Sequence, residues 1–254
     1  MDPISRLENE YSKETYDSLR QRTLVLEECI AQMKSYVEIE HCVVVMSDLA
    51  EKNNHIFNGS FGDFLGLNPS RYRVIDGIWE REIYEKIHPD DVFQRHLLEL
   101  EFYNFLQSLP KTERLSYRTN CKLRAMGKDK MYQVISHKSF YLRMSENGSL
   151  WLDACVYNFS TSNQPFQGIE GRIINMKTGE FIDVDKFRNS TNMLSSREKE
   201  VLRLVGKGSL SKEISSELNI SVNTVNRHRQ NILQKLKVNN SMEAVKVAIA
   251  MNLM

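Results

Sequence analysis

The chain has 254 residues, of which 41% are hydrophobic and 26% charged, with only 5 Pro and 11 Gly. That length can hold two modest cores, and that balance excludes a long disordered or low-complexity chain. The net charge of +1 decides nothing by itself, but from Leu194 to Met254 ten Lys/Arg face five Asp/Glu, a net of +5 against −4 for the rest. An asymmetry of that sign points to a polyanion meeting the C-terminal part.

The longest strictly apolar run near the start, Cys42-Val43-Val44-Val45-Met46, is far too short to span a bilayer. Met1–Glu8 lacks the basic-then-apolar layout of a signal peptide. Cys29, Cys42, Cys121 and Cys155 show no C-x-x-C spacing, which suits free thiols in a reducing interior. A cytoplasmic protein with no membrane partner is expected.

Residues 13–37 read as a helix. Leu19, Leu26 and Met33 alternate with Thr23, Ile30 and Val37 as a short heptad stripe, which serves either a coiled coil or packing within its own domain. Residues 42–47 and His55-Ile56-Phe57 read as strands, followed by small helices around Ser60–Leu67 and a turn at Gly66-Leu67-Asn68-Pro69. Helical periodicity returns at Ile78–Ile87 and Val92–Leu109. Between them His88-Pro89-Asp90-Asp91 places Pro and acids where a helix opens. Leu115–Arg124, Met131–Arg143 and Ser149–Asn158 read as strands joined by Gly127-Lys128-Asp129 and Glu146-Asn147-Gly148, both good turn chemistry.

Strand, strand, short helices, longer helix and three antiparallel strands, with Phe64-Leu65-Gly66-Leu67 and His88-Pro89-Asp90-Asp91 in the helical middle, together resemble a PAS domain. The resemblance implies a five-stranded antiparallel sheet with helices on one face and room for a ligand between them. Residues 159–167 are polar and turn-prone, Gly171–Asp183 offers a further hairpin around Lys177-Thr178-Gly179-Glu180, and Asp185–Met193 reads as a polar linker.

From Leu194 the pattern becomes wholly helical. Ser195 and Glu198 make a capping box ahead of Val201, Leu202 and Val205, and Gly206-Lys207-Gly208 stops that helix. Lys212–Leu218 is a short helix burying Ile214 and Leu218. Asn219-Ile220-Ser221 turns the chain, and Ser221 caps a third helix, Val222–Leu236. Asn240 and Glu243 suggest another capping box, for an Ala- and Val-rich fourth helix. A three-residue turn between the second and third helices is helix-turn-helix geometry.

At 100° per residue, Val222, Val225, Ile232, Leu233 and Leu236 share one side of the third helix. Asn223, Arg227, Gln230, Asn231 and Gln234 lie opposite, with Asn226 on the flank. A merely solvated face mixes Glu with Lys, whereas Val222–Leu236 contains no acid. Arg pairs bidentately with guanine and Asn or Gln with adenine in a major groove, so this face suits DNA.

Leu194-Ser195-x-Arg197-Glu198-x-Glu200-Val201-Leu202, Gly208, Lys212-Glu213-Ile214, Leu218-x-Ile220-Ser221, Thr224-Val225-x-x-His228, Asn231-Ile232, Lys235-Leu236 and Ala244 resemble the LuxR/FixJ/NarL-type (GerE-like) DNA-binding domain throughout. The resemblance implies base-reading positions at Asn226, Arg227 and Gln230, and phosphate or docking roles for Lys212, Thr224, His228 and Lys235. Asn223 and Asn231 complete the expected DNA-binding set. The family often has Lys at the Asn226 position, and usually Ala at those of Gly206 and Ser215. It also implies a dimer contact on the fourth helix, where Ala244, Val247, Ala248 and Met251 stand, with ordinary core packing as the competing use. Arg229 falls at the angle of the buried side, its stem expected along the core edge with the guanidinium at the backbone.

Two neighbouring classes do not fit. A sigma factor needs a second helical region upstream, where strands stand instead, and a phosphorylated receiver needs an opening strand ending in paired acids. An enzyme reading rests on His88, Asp90 and Asp91 alone, which capping explains. There is no phosphate-cradling glycine loop or nucleophile elbow. The Cys-bearing motif of flavin-binding PAS domains is missing. His55 and His137 stand alone, and no metal, cofactor or catalytic residue is expected.

The expected fold class is therefore α+β: a PAS-like antiparallel sheet with helices, then an all-α four-helix LuxR-type helix-turn-helix. Expected boundaries are 1–39 for the N-terminal helix with a dimerisation role, 40–162 for the PAS-like sensor, 163–192 for the linker with its hairpin, and 193–254 for the DNA-binding domain. The expected function is a one-component, sequence-specific transcriptional regulator. Its expected partners are double-stranded DNA and a second copy of itself, with RNA polymerase and a small-molecule ligand of the sensor as further candidates.

Overall fold

Hydrophobic and β-branched runs on both sides of the long middle helix assemble into one sheet. The computed structural model describes residues 3–162, 165–166, 168–182, 194–236 and 238–250. They fall into two compact units, residues 9–182 and residues 183–254 together with 1–8. The expected linker at Asp185–Met193 and the side chain of Leu19 lie outside the described residues, as do Met251 and Asn163, Gln164 and Gln167 of the turn-prone stretch.

Helix α1 is Pro3–Tyr11 and α2 is Leu19–Glu40. The helix expected from residue 13 thus starts six residues later. The reason is tertiary: the Thr15 carbonyl accepts from Asn147 Nδ2 at 3.0 Å, and the Asp17 carboxylate accepts from the Glu146 amide at 3.1 Å. Both bonds tie this stretch to a turn more than a hundred residues away. The heptad stripe packs within its own unit: Cys29, Met33 and Val37 are buried, and Leu26 and Ile30 are half-buried, against Val44, Met46, Phe57, Trp151 and Val156.

The sheet has eight antiparallel strands in the order β3-β2-β1-β6-β5-β4-β7-β8. They are β1 Val43–Asp48, β2 Asn53–Asn58, β3 Tyr72–Asp76, β4 Tyr117–Met126, β5 Tyr132–Met144, β6 Leu150–Phe159, β7 Arg172–Asn175 and β8 Phe181–Ile182. The five anticipated strands form its centre. Strand β3 was not anticipated. Its sequence Tyr-Arg-Val-Ile-Asp carries little apolar signal because it pairs only with β2, at the sheet's edge. The anticipated hairpin at 171–183 is present, and β7 pairs with β4, so it widens the sheet.

Between β2 and β4 the chain crosses the sheet through α3 (Ser60–Leu65), β3, α4 (Arg81–Tyr84) and α5 (Pro89–Ser108). The helix expected over 78–87 shrinks to a single turn. Ile87 bridges to Ala125, and the His88 amide donates to the Arg124 carbonyl at 2.8 Å, so residues around 87 run extended along β4. Pro89 opens α5 with Asp90 and Asp91 in its first turn, as expected, and His88 caps it. Asp91 does more than favour the helix dipole. It is buried, and its carboxylate accepts from the Arg124 amide at 2.8 Å and from the guanidinium at 2.6 Å, pinning α5 to β4. The four cysteines are buried free thiols, and burial pushes that of Cys121 up to about 12, which leaves it inert.

The second unit is all helical: α6 Ser196–Gly206, α7 Ser211–Leu218, α8 Val222–Leu236 and α9 Ser241–Ala250. Val201, Leu202, Ile214, Val225, Ile232, Leu236, Ala244, Val247 and Ala248 form its core. Ala244, Val247 and Ala248 are therefore not available as a dimer contact; they are spent on the monomer's own packing. Among the described side chains of α9 the exposed apolar ones are Met242 and Ile249. Among the described residues no helix is long and apolar enough to cross a membrane.

Candidate nucleic-acid interface

The α6 start is locked by the capping box seen in the sequence. Ser195 Oγ accepts from the Glu198 amide at 3.3 Å, and Glu198 Oε2 accepts from the Ser195 amide at 2.7 Å. Lys235 Nζ, from the last turn of α8, reaches the same Oε2 at 2.7 Å. Burial works against ionisation of Glu198, but the bonds from Lys235 and Ser195 outweigh it and hold its carboxyl below the ordinary range. Expected at a DNA phosphate, Lys235 thus has an internal partner, with its side chain 43% exposed and that of Glu198 only 3%.

The turn into α8 is built as its sequence suggests. Asn219 takes the left-handed conformation (φ 53°) that ends α7, and Ser221 Oγ accepts from the Thr224 amide at 3.0 Å. Ser215, where the resembling family has Ala, donates to the Ile220 carbonyl and tightens this turn. The α9 box is shifted: Asn240 accepts from the Glu243 amide, but Glu243 accepts from the amide of Asn239.

Helix α8 buries Val225, Ile232 and Leu236, while Val222 and Leu233 are half-buried. On the other side Asn223, Asn226, Arg227, Gln230 and Gln234 are exposed, and Thr224, His228 and Asn231 are half-buried. Lys212 is exposed at the start of α7. The expected DNA-binding residues of α8, Lys235 among them, are thus exposed or half-buried on a helix that carries no acid, and Lys212 is exposed on α7.

One feature sequence reasoning missed is the support under that face. Arg229 Nη1 donates to Ser211 Oγ at 3.1 Å and Nη2 to Ser241 Oγ at 3.1 Å, while Ser211 Oγ donates to Asn226 Oδ1 at 2.9 Å. Arg229 thus clamps the starts of α7 and α9 to α8. Its guanidinium meets hydroxyls rather than the expected backbone. Through Ser211 it also fixes the oxygen of the exposed Asn226. The signal was available as Ser at two helix starts, but only the fold brings them to one Arg.

His88, Asp90 and Asp91 hold the α5 start, and among the described residues no group of three metal-ligating side chains occurs. His55 Nδ1 lies 2.8 Å from Tyr72 Oη, and burial lowers its pKa against the pull of Asp48.

Residues 192–248 match the family described as bacterial regulatory proteins, luxR family. Among curated proteins the chain is 43% identical over 63 residues to the uncharacterized response regulatory protein YgeK of Escherichia coli, covering 25% of this chain and 43% of that one. It is 36% identical over 91 residues to the oxygen regulatory protein NreC of Staphylococcus carnosus, covering 34% and 42%. To the transcriptional regulatory protein DesR of Bacillus subtilis it is 34% identical over 98 residues, covering 37% and 49%. The chain spans about half or less of the length of these relatives. Among solved structures, the VqmA dimer of Vibrio cholerae is 15% identical, covers 89% of this chain and 88% of that one, and gives a TM-score of 0.29. SdiA of Escherichia coli is 15% identical, covers 64% and 98%, and gives a TM-score of 0.25. These two likenesses stay below the level at which a shared fold follows. The C-terminal segment of this chain is a helix-turn-helix domain of the bacterial regulatory luxR family.

Proposed function

We propose that this protein is a one-component transcriptional regulator whose C-terminal domain reads double-stranded DNA in the major groove as a homodimer. The observation that carries the reading is the outer face of α8: Arg227, Gln230, Asn223 and Asn226 exposed together, with no carboxylate between residues 222 and 236. In this reading Arg227 and Gln230 contact base edges, and Asn226 offers its amide hydrogens to a base acceptor. Lys212, Thr224 and His228 contact phosphates and set the register, with Asn231 at the margin. Lys235 supports the domain through Glu198 before it serves any phosphate.

The N-terminal unit is proposed as a PAS-like sensor of a small molecule or partner. The central strand order β2-β1-β6-β5-β4, crossed by α3 to α5, supports that reading. A bound signal acts by favouring one arrangement of the paired DNA-binding domains over another, with coupling through residues 160–193 or the N-terminal helices. The reading places the protein in the cytoplasm, gives it no catalytic activity, and makes RNA polymerase a further partner. Selection of bound sequences from random duplex DNA by the full chain tests it. The expected result is enrichment of a roughly palindromic site; recovery of unenriched DNA, or of none at low ionic strength, contradicts it.

A further inference from the structure

The inner face of the N-terminal sheet, beneath α5, is unusually polar for a protein interior. Strand register aligns its side chains in rows. Asn54, Ser47, Asp153 and Tyr141 stand opposite one another across β2, β1, β6 and β5. Two residues along, Ile56, Val45, Cys155 and Ser139 form the next row, and Tyr157, His137 and Cys121 belong to a third. Arg95 descends onto them from α5: its side chain is 2% exposed, and its guanidinium meets Tyr84 Oη at 2.7 Å, Glu99 Oε2 at 2.9 Å, Glu80 Oε2 at 3.2 Å and Cys155 Sγ at 3.0 Å.

Buried polar groups are ordinarily hydrogen-bonded, because an unpaired one loses its water for nothing. Here both amide atoms of Asn54, which is 0% exposed, have no partner among the described residues. Asp153 Oδ1, Tyr157 Oη, His137 Nε2 and Arg95 Nε are in the same condition. A set of orphaned donors and acceptors from β2, β6, β5 and α5, with apolar Val45 of β1 and Ile56 of β2 among them, has the composition of a ligand site.

Charge decides the class of ligand. The charged groups around Asp153 are Glu99, Glu80 and Arg95, and the one guanidinium is already bonded to both glutamates. Ser47 bonds the Asp153 carboxyl, and Tyr141 and Tyr11 lie close enough to feel its charge. Burial first, then the two glutamates, push that carboxyl well above the ordinary carboxylate range, which favours its protonated form. Two glutamates against one guanidinium leave the cluster short of positive charge, and a cation entering beside Asp153 supplies one.

Resting on the sensor reading above, we propose that this unit binds a compact organic cation, an amine or amidine on a small apolar body, with Asp153 as its counter-ion and Asn54 as its hydrogen-bonding neighbour. The nitrogen–hydrogen groups of the cation meet Asp153 and the Asn54 oxygen, and the apolar body lies on Val45 and Ile56. On binding, Asp153 gives up its proton to solvent and becomes a carboxylate facing the cation.

Benzamidine, benzamide and benzoate are near-isosteric and differ chiefly in charge. Calorimetric titration of the full chain should rank benzamidine tightest. Its affinity should rise about tenfold per pH unit below the carboxyl's folded pKa, and one proton should be released in buffers of differing ionisation enthalpy. Asp153→Asn replaces a neutral acid with a neutral amide; it should abolish both the pH dependence and the preference for benzamidine over benzamide. Benzoate binding best, benzamidine binding with no proton release, or benzamidine failing to bind would overturn the cation assignment. If benzamide or benzoate binds and changes DNA affinity, sensing survives without the cation. If none of the three binds and native mass spectrometry of the full chain shows only the bare mass, the small-molecule half of the sensor reading falls as well.

Discussion

The two units spend their polar residues in opposite directions. In the helical unit the interior is apolar apart from Glu198, and the amides and guanidinium of α8 face solvent. In the sheet unit, Ser47, Asn54, Asp153, His137 and Arg95 are turned inward. The first pattern suits a large external partner, which supplies hydrogen bonds to groups that water satisfies until contact. The second suits something small enough to be enclosed, because the groups have already lost water. That difference is a claim about energetics, and variants can break it.

The largest effect is expected at Arg95. Arg95→Met strands the buried Glu80 and the half-buried Glu99, and should cost about 3–5 kcal/mol in urea unfolding of the sheet unit. Adding Glu80→Gln should recover part of that loss. A single-variant cost under about 1 kcal/mol would mean that the interior is already hydrated, and the contrast between the units would dissolve.

Next comes Glu198. Glu198→Gln removes one charge from the box shared by Ser195 and Lys235, and should cost about 1–2 kcal/mol in the thermal transition of the helical unit. The folded carboxyl titrates below its ordinary value of 4.5, so its contribution is complete above that pH. It is lost as pH falls through the lower, folded value. A wild-type acid transition identical to that of Glu198→Gln would remove this support.

The smallest effect separates two lysines. Lys212→Ala should flatten the salt dependence of DNA binding by about one unit of slope while leaving stability unchanged. Lys235→Ala should do the reverse, costing about 1 kcal/mol of stability with the slope unchanged. Equal slopes for the two variants would return Lys235 to the phosphate role implied by family resemblance.

The helical unit was largely legible because its signals are local. The Ser195–Glu198 box, the Ser221 cap and the Val225, Ile232 and Leu236 stripe each lie within a few turns of sequence, and all three hold in the structure. What it hid is long-range: the use of Lys235 by Glu198, the Arg229 clamp, and the burial of Ala244, Val247 and Ala248. In the sheet unit the main strands were legible from β-branched runs and the turns that join them, but neither says which face is wet. Asp153, Ala154, Cys155, Val156 and Tyr157 are all buried, because α5 covers one face of the strand and α2 the other. Arg95 lies within the expected Val92–Leu109 helix, but only the fold places it against Cys155. The start of α2 and strand β3 escaped for a related reason, since bonds from distant turns and an edge position outweigh local propensity.

The central claim is that the outer face of α8 lies against base pairs. Fluorescence anisotropy with a selected duplex and a scrambled one, comparing the full chain with its Arg227→Ala variant, tests it most directly. The account predicts a loss of about 1–3 kcal/mol on the selected duplex and almost none on the scrambled one, so that the ratio of the two affinities collapses. An unchanged ratio would contradict it.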